Sequence, residues 1–180
     1  MEGRLKTRLD YEDLWAIPED GNRYEIVDGD LQATPAPTLG HQRLVLRLAR
    51  TLAERFHPPA EVFIGPVAVI LGRHDVVQPD TAVVADTSGL SERAIEGPPL
   101  LVVEVSSPST RTYDRTTKAR RYAVLGVPHY WIAAGQARRV ECYRRRHTEY
   151  DLIVAATGEE VLAHPDFPGL VIDFRRLFGR

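Results

Sequence analysis

The stretch PLLVVEVSS, residues 99–107, is an almost unbroken apolar run that carries one carboxylate, Glu104. An apolar run of this length, bounded by prolines, is typical of a central strand that is covered on both faces of its sheet. A carboxylate inside such a strand is costly unless it is paired or binds a metal. The run therefore predicts a covered sheet and a candidate functional residue within it.

The segments around this strand predict a mixed α/β fold. In TLGHQRLVLRLARTLAERF, residues 38–56, leucine recurs every four positions, which is the spacing of a helix with one buried face. A second helix is expected in STRTYDRTTKARRYAVLG, residues 109–126, with Thr110 or Thr112 as its cap and Gly126 at its end. The strand PHYWIAA follows, and if it runs parallel to the first strand the crossover should be right-handed.

The remaining elements are shorter, and most are expected to be strands. DVVQPDTAVVAD, residues 75–86, reads as one strand, and Asp28 with Gly29 gives a hairpin turn signal. A short N-terminal helix is expected, with Thr7 or Asp10 as cap and Pro18 near its end. The other expected strands are EVFIGPVAVILG, PLLVVEVSS, RRVECYRR, TEYDLIVAAT and the first part of PGLVIDFRRLFGR, which ends in a turn of helix.

Length and composition indicate an ordinary globular chain. The 180 residues suggest one domain, 1–180, and the 43% hydrophobic and 27% charged residues are typical of such domains. The net charge of −2 argues against a generally basic nucleic-acid binder, so contacts with a polyanion must be local. A single cysteine excludes an intrachain disulfide, and the charged N-terminus does not resemble a signal peptide. We expect no membrane span and a cytoplasmic location.

The pair Pro79-Asp80 is unusual for the middle of a strand. Proline cannot donate a hydrogen bond to the sheet, so it indicates a strand edge or a bulge. Neighbouring strands would bring Asp80 next to Glu104, and two such anions repel each other. A shared divalent cation relieves that repulsion, and oxygen ligands favour Mg²⁺, Mn²⁺ or Ca²⁺. The alternative is that each carboxylate simply pairs with an arginine.

Pro79-Asp80 followed by Glu104 in an apolar strand resembles the PD-(D/E)XK motif of the restriction-endonuclease-like nuclease superfamily. The run VVEVSSPSTRTYDRTTKARRYAVLGVPHYWI, residues 102–132, is similar to a large bacterial branch of short endonucleases in that superfamily. The segments YEIVDGDL and GHQRLVLRLA also resemble this branch, so the likeness covers roughly residues 10–135. It implies an α/β restriction-endonuclease-like fold, with a mixed β-sheet core flanked by helices. It also implies Mg²⁺ or Mn²⁺ as cofactor, DNA as partner and a homo-oligomer such as a dimer.

The resemblance also implies which residues carry the chemistry. Asp80, Glu104 and a lysine form the catalytic set, but the motif position two residues after Glu104 is Ser106. Lys118 on the following helix is the expected substitute, and it is one of only two lysines in the chain. The alternative for Lys118 is a surface pair with Asp114, four residues earlier. Glu25 is the acidic residue expected to join Asp80 and Glu104 as a metal ligand.

Two further residues are candidates for contact with DNA phosphates. His41 stands at the start of the long helix, and Arg111 follows the turn before the second helix. A capping or surface role is the alternative for each. We expect His129 and Cys142 to be structural, and the arginine run 144–146 to be a solvated strand end.

These residues together predict a metal-dependent endonuclease that hydrolyses DNA phosphodiester bonds. The sequence shows no serine or cysteine paired with a base, so nothing in it indicates a covalent mechanism. The alternative function is a catalytically silent nucleic-acid-binding or assembly module on the same scaffold. In an assembly protein, Tyr143 and Tyr150 would be exposed and form an interface.

Overall fold

A computed structural model describes residues 8–17, 20–34 and 36–179. Its helices are α1 (Tyr11–Trp15), α2 (Leu39–Ala53), α3 (Arg111–Tyr113), α4 (Ala119–Val124) and α5 (Phe174–Phe178), with a π-helical segment (Asp114–Lys118) between α3 and α4. Its strands are β1 (Arg23–Val27), β2 (Asp30–Thr34), β3 (Glu61–Ile64), β4 (Ala68–Gly72), β5 (Asp75–Val77), β6 (Thr81–Val84), β7 (Ala94–Glu96), β8 (Leu101–Ser106), β9 (His129–Ala134), β10 (Arg139–Arg146), β11 (Glu149–Thr157), β12 (Val161–Ala163) and β13 (Val171–Asp173).

Two mixed sheets form the framework. The first has the strand order β2-β1-β5-β4-β7, and the second has the order β11-β10-β9-β8-β6-β3. Strand β8 lies inside the second sheet, antiparallel to β6 and parallel to β9, and all of its residues are buried. The prediction of a covered central strand is confirmed, as is the predicted α/β class with a mixed sheet and flanking helices.

The core is divided by the two faces of β8. Leu101, Val103 and Val105 belong to a cluster that includes Leu48 of α2 and Trp131 of β9. Val102 points the other way, into a cluster formed with residues of the first sheet and of α4. Because successive side chains of a strand alternate in direction, Glu104 shares the face of Val102, toward the first sheet.

The predicted hairpin and the predicted Asp10 cap agree with the structure, whereas the predicted side-chain cap of the second helix does not. Asp28 and Gly29 both have positive φ, 53° and 86°, as the tight turn between β1 and β2 requires. Asp10 caps α1 with its side chain, whereas Thr7 and Pro18 lie outside the described residues. Thr110 precedes α3, but its side chain makes no capping hydrogen bond.

The predicted second helix is interrupted by the π-helical segment, which the sequence did not indicate. Two side-chain hydroxyls compete with the backbone there: Thr116 donates to the carbonyl of Thr112 at 2.7 Å, and Tyr130 donates to that of Asp114 at 3.1 Å. Hydroxyls that bond helix carbonyls bend helices, and π-helical turns occur often at functional sites. Here the segment begins and ends with a buried charged residue, Asp114 and Lys118.

The predictions of one strand over residues 75–86 and of one strand over residues 61–72 are both wrong. In the second segment β3 belongs to the second sheet and β4 to the first. Strand β5 belongs to the first sheet and β6 to the second, so the chain passes from one sheet to the other through Gln78, Pro79 and Asp80. Proline has no N–H for either sheet, which suits a position where the ladder ends. Asp80 therefore lies outside both strands, at the junction of the sheets.

Two short strands, β7 and β12, were not predicted. Each has only three residues, and β7 lies in a segment that reads as a loop. None of the helices in the described ranges is long and apolar enough to cross a membrane.

Gly65 holds the crossing between the sheets in place. Its N–H donates to the carbonyl of Asp80 at 2.9 Å, and a Cβ added at Gly65 would lie 2.5 Å from the carbonyl oxygen of Pro79. Gly65→Ala should therefore lower the free energy of unfolding by about 1–3 kcal/mol, measured by denaturant titration. Gly72→Ala is the control, because its Cβ would meet only Leu125, at 3.9 Å. Equal stability of the two variants would contradict this role of Gly65.

Candidate active site

Four charged side chains meet at the junction of the two sheets. Glu25 comes from β1, Asp80 from the link between β5 and β6, Glu104 from β8 and Lys118 from the end of the π-helical segment. Their exposed fractions are 3%, 7%, 5% and 7% respectively. All four line a cavity of about 500 Å³, which we call the acid cavity. The structure thus brings together the catalytic and metal-ligand candidates that the sequence predicted.

Lys118 is at the centre of this group. Its Nζ lies 2.8 Å from Oε2 of Glu25 and 3.0 Å from Oε1 of Glu104. It therefore bridges two carboxylates on different sheets, instead of forming only the surface pair with Asp114 that was the alternative. Buried ions need such pairing, because the loss of water must be compensated by direct contacts.

Burial and charge act in opposite directions on the ionisation of this pair. Burial alone would lower the pKa of Lys118, but Glu104 and Glu25 raise it well above its ordinary value. Burial raises the pKa of Glu104 to about 8, and the Asp80, Glu25 and Asp114 carboxylates act in the same direction while Lys118 opposes them. The ammonium therefore keeps its charge, and Glu104 is a stronger base than an ordinary glutamate.

Asp80 is held by three donors on different elements. Its Oδ2 accepts a 2.8 Å hydrogen bond from the N–H of Val105, the residue after Glu104. Its Oδ1 lies 3.0 Å from Nε2 of His41 and 3.6 Å from the guanidinium of Arg23. Burial alone would raise the pKa of Asp80, but these contacts lower it below its ordinary value. Asp80 and Glu104 thus have opposite pKa shifts.

A family comparison covers the elements that form the acid cavity. The Uma2 family model, described as "Putative restriction endonuclease", matches residues 10–175. The chain belongs to the Uma2 family. The predicted relation to the restriction-endonuclease-like superfamily is confirmed, and the family supports a nuclease-like function.

The fold of this Uma2 protein is also similar to a solved structure. That structure is described as a putative nuclease belonging to DUF820 from Anabaena variabilis, and the two share 18% sequence identity with a TM-score of 0.75. The similarity covers 94% of this chain and 97% of the other, so it includes both sheets. No curated protein matches the chain significantly.

Glu25 of the Uma2 protein has a different environment from the one expected of a metal ligand. Its Oε1 accepts hydrogen bonds from the N–H of Gln78 at 2.5 Å and from Lys118 at 3.1 Å, and its Oε2 also contacts Lys118. Within the ranges that the structure describes, no group of three or more His, Cys, Asp or Glu residues is arranged to hold a metal. Glu25 holds Lys118 beside Glu104, and its role as a metal ligand stays a prediction.

Three contacts in the acid cavity were missed from the sequence. The hydroxyl of Tyr122 donates to Oε1 of Glu104 at 2.9 Å, the guanidinium of Arg23 approaches Asp80, and the N–H of Gln78 holds Glu25. Tyr122 of α4 follows Lys118, the residue just before α4, by four positions, so the two side chains lie on the same side of the helix. The four-residue spacing could have predicted that Tyr122 lies near Lys118. The contacts of Arg23 and Gln78 could not be predicted, because they depend on how the two sheets meet.

The two phosphate candidates lie in different environments. His41 is in the first turn of α2, lines the acid cavity and contacts Asp80, so it is already engaged at the site. Arg111 is exposed at the start of α3, and the described lining of the acid cavity includes its neighbour Thr110 but not Arg111. A contact of either residue with phosphate stays a prediction.

The residues predicted to be structural are placed accordingly. His129 is buried and packs on Phe167 with ring centroids 4.6 Å apart. Cys142 is fully buried, and burial raises the pKa of its thiol well above the ordinary value. Tyr143 and Tyr150 are half-buried against the core cluster around Val102, so the expectation that both are exposed is wrong.

The arginine run 144–146 is engaged in contacts within the protein. Arg144 pairs with Asp166 at 2.9 Å, Arg145 donates to the carbonyl of Ala123 at 2.6 Å, and Arg146 lies 3.7 Å from Asp151. All three arginines are exposed. This agrees with the predicted solvated strand end.

Lys118→Met should destabilise the protein, because it leaves Glu25 and Glu104 buried without their shared cation. Removing one partner of a buried pair costs about 3–5 kcal/mol, so a drop of this size is expected in urea unfolding at pH 7. Adding Glu25→Gln to this variant should recover part of the loss. Arg120→Met, at an exposed position of α4, is the control and should change stability by less than about 0.5 kcal/mol. A Lys118→Met variant as stable as this control would contradict the bridging role.

Proposed function

We propose that this Uma2 protein is a metal-dependent endonuclease that hydrolyses phosphodiester bonds of DNA. The observation that supports this most directly is the placement of Lys118 Nζ 3.0 Å from Glu104, beside Asp80 in one cavity. Two carboxylates and an ammonium are the groups that the PD-(D/E)XK motif brings together. The family's description as restriction endonucleases supports DNA as the substrate.

The donor set suits a hard divalent cation. Asp80 and Glu104 offer only carboxylate oxygens, the ligands that Mg²⁺ and Mn²⁺ prefer. In the described part of the chain, both recorded hydrogen bonds to Glu104 end on Oε1, from Lys118 and from Tyr122. Its Oε2 is therefore the oxygen that we assign to the cation, together with Asp80. When bound, the cation supplies Lewis-acid polarisation of the phosphate and favours ionisation of a nearby water.

The protein's own groups would position the reactants. An ammonium has three donors, and Lys118 contacts Oε1 of Glu104 and both oxygens of Glu25, which a single N–H can share. We assign its remaining donor capacity to the attacking water or to a phosphate oxygen on which charge develops. Glu25 and Tyr122 hold Lys118 and Glu104 in place, so neither group must reorganise when the substrate binds. Ser106 has no charge and does not take this role.

Metal-dependent cleavage is the direct test of the proposal. Purified protein with Mg²⁺ or Mn²⁺ should nick plasmid DNA, measured by gel electrophoresis, and cleavage should stop in EDTA. Glu104→Gln preserves shape but removes the charge, so the rate should fall at least about 100-fold. Glu92→Gln, at an exposed loop position, is the matched control and should cleave normally. Nicking that survives Glu104→Gln would exclude this site.

Metal binding can be tested without turnover. Calorimetric titration with Mn²⁺ should show binding to the native protein that is weakened at least about tenfold in Asp80→Asn, because the amide keeps the shape but loses the charge. Asp86→Asn changes an exposed carboxylate just beyond β6 and should leave affinity unchanged. Equal affinity of the native protein and Asp80→Asn would remove Asp80 from the metal site.

One observation favours the second candidate function, a catalytically silent nucleic-acid-binding module. Lys118 already neutralises Glu25 and Glu104, and the described residues contain no ready-made metal cluster. A silent module would bind oligonucleotides in EDTA and would leave them intact after Mg²⁺ or Mn²⁺ is added. A homo-oligomer and a cytoplasmic location stay predictions, and a solution mass measurement addresses the first.

A further inference from the structure

A second cavity, of about 800 Å³, lies beside the acid cavity. We call it the arginine groove, and we define it by Gly40, Arg43 and Arg47 of α2 together with Ser106 and Phe178. The two cavities share part of their walls, so a bound chain can pass from one to the other. The shared residues are Thr38, His41, Val105 and Ser107.

The charge of the arginine groove is opposite to that of the acid cavity. Among the described residues that line it there is no aspartate or glutamate, whereas Arg43, Arg47 and His41 are all present. The acid cavity contains four carboxylates, including Asp80 and Glu104. Because the whole chain has a net charge of −2, this basic surface is local. A polyanion beside the acid cavity would find its favourable contacts here.

The two arginines differ in how far the protein engages them. Arg43 is exposed, and within the described ranges it has no recorded ion pair or hydrogen bond to another side chain. Toward the residues that the structure describes, Arg47 donates one hydrogen bond, from Nη1 to the carbonyl of Leu177 at 3.0 Å, and a guanidinium has five N–H groups. By contrast, Arg50 on the same helix is paired with Glu54 at 3.3 Å and lines neither cavity.

Gly40 leaves space in the groove that internal packing does not require. It lies in the first turn of α2, where glycine is unfavourable relative to alanine. A Cβ added there would meet only Oγ1 of Thr38, at 3.9 Å, so no neighbouring group excludes a side chain. A glycine at such a position permits close approach of a ligand. Phe178 adds a half-buried aromatic ring, the kind of side chain on which bases stack in strand-binding proteins.

We propose that the arginine groove binds the phosphate backbone of the DNA strand next to the phosphate in the acid cavity. Arg43 and Arg47 each contact one backbone phosphate, and Gly40 lets the strand lie close to α2. This inference rests on the proposed nuclease function for its substrate class. Its test measures binding alone, so that it can fail or succeed independently of cleavage.

The sharpest comparison uses two variants with the same change in charge. Gly40→Glu places a carboxylate in the groove, and Gln42→Glu places one on the exposed side of the same turn. Glutamate is favourable in the first turn of a helix, so both variants should fold. Fluorescence anisotropy with a short labelled single-stranded DNA in EDTA should show at least tenfold weaker binding for Gly40→Glu than for Gln42→Glu. Equal affinities would overturn the proposal.

The salt dependence of binding gives an independent readout. Each lost phosphate contact should reduce the slope of log affinity against log salt by about 0.7 for a single strand. Arg43→Gln and Arg47→Gln should each show this reduction between about 50 and 200 mM salt, and Arg50→Gln should keep the native slope. An unchanged slope in the double variant Arg43→Gln/Arg47→Gln would overturn the proposal. So would a native protein that binds no oligonucleotide.

Binding and cleavage can be separated in one further arm. The native protein is assayed twice, for oligonucleotide binding in EDTA and for cleavage with Mg²⁺ or Mn²⁺, so that the two activities are scored separately. If native protein binds through the groove but cleaves nothing with Mg²⁺ or Mn²⁺, the nuclease proposal fails and the groove stands. If native protein cleaves but the groove variants bind normally, the groove proposal fails and the nuclease stands.

Discussion

The bridge from Lys118 to Glu25 and Glu104 is the interaction on which the site depends. It joins the π-helical segment to β1 of one sheet and to β8 of the other, and all three side chains are buried. A single carboxylate buried at this junction would be costly, and two would repel each other. The ammonium compensates both, at a position that only the assembled fold creates. The same contact that stabilises the junction therefore also fixes the groups to which we assign catalysis.

The passage of the chain between the sheets is the second constraint. Pro79 and Asp80 lie where β5 ends and β6 begins, and Gly65 is packed against them. Since Asp80 belongs to neither strand, its backbone is not held in the regular hydrogen-bond pattern of a sheet. Its side chain can therefore turn toward the N–H of Val105. The alternation of β8 directs Glu104 toward the same junction. Strand direction and chain crossing together place two carboxylates in one cavity.

Much of this arrangement could be predicted from the sequence. The apolar run around Glu104, the leucine spacing of α2 and the Asp28-Gly29 turn are local signals, and each is confirmed by the structure. The proximity of Asp80 and Glu104 was predicted from their neighbouring strands, and the family resemblance added Lys118 to them. In this chain the motif lysine is replaced by Ser106, so spacing alone would have missed Lys118.

The parts that could not be predicted depend on contacts between distant segments. The split of residues 75–86 into two strands reflects competition between two sheets, and a single apolar pattern cannot distinguish one long strand from two short ones. In the π-helical segment, the carbonyl of Asp114 accepts a hydrogen bond from Tyr130 on the next strand, a contact between segments that a local pattern does not indicate. The positioning of Glu25 by Gln78 likewise appears only when the sheets meet.

The order of the site residues along the chain has a consequence for synthesis on the ribosome. Glu25, Asp80 and Glu104 are translated before Lys118, and Tyr122 follows it. A nascent or prematurely terminated polypeptide that stops short of the lysine therefore contains the acids without their counter-ion. Because these acids are costly to bury without the ammonium, we expect the junction of the two sheets to close only after Lys118 has been translated.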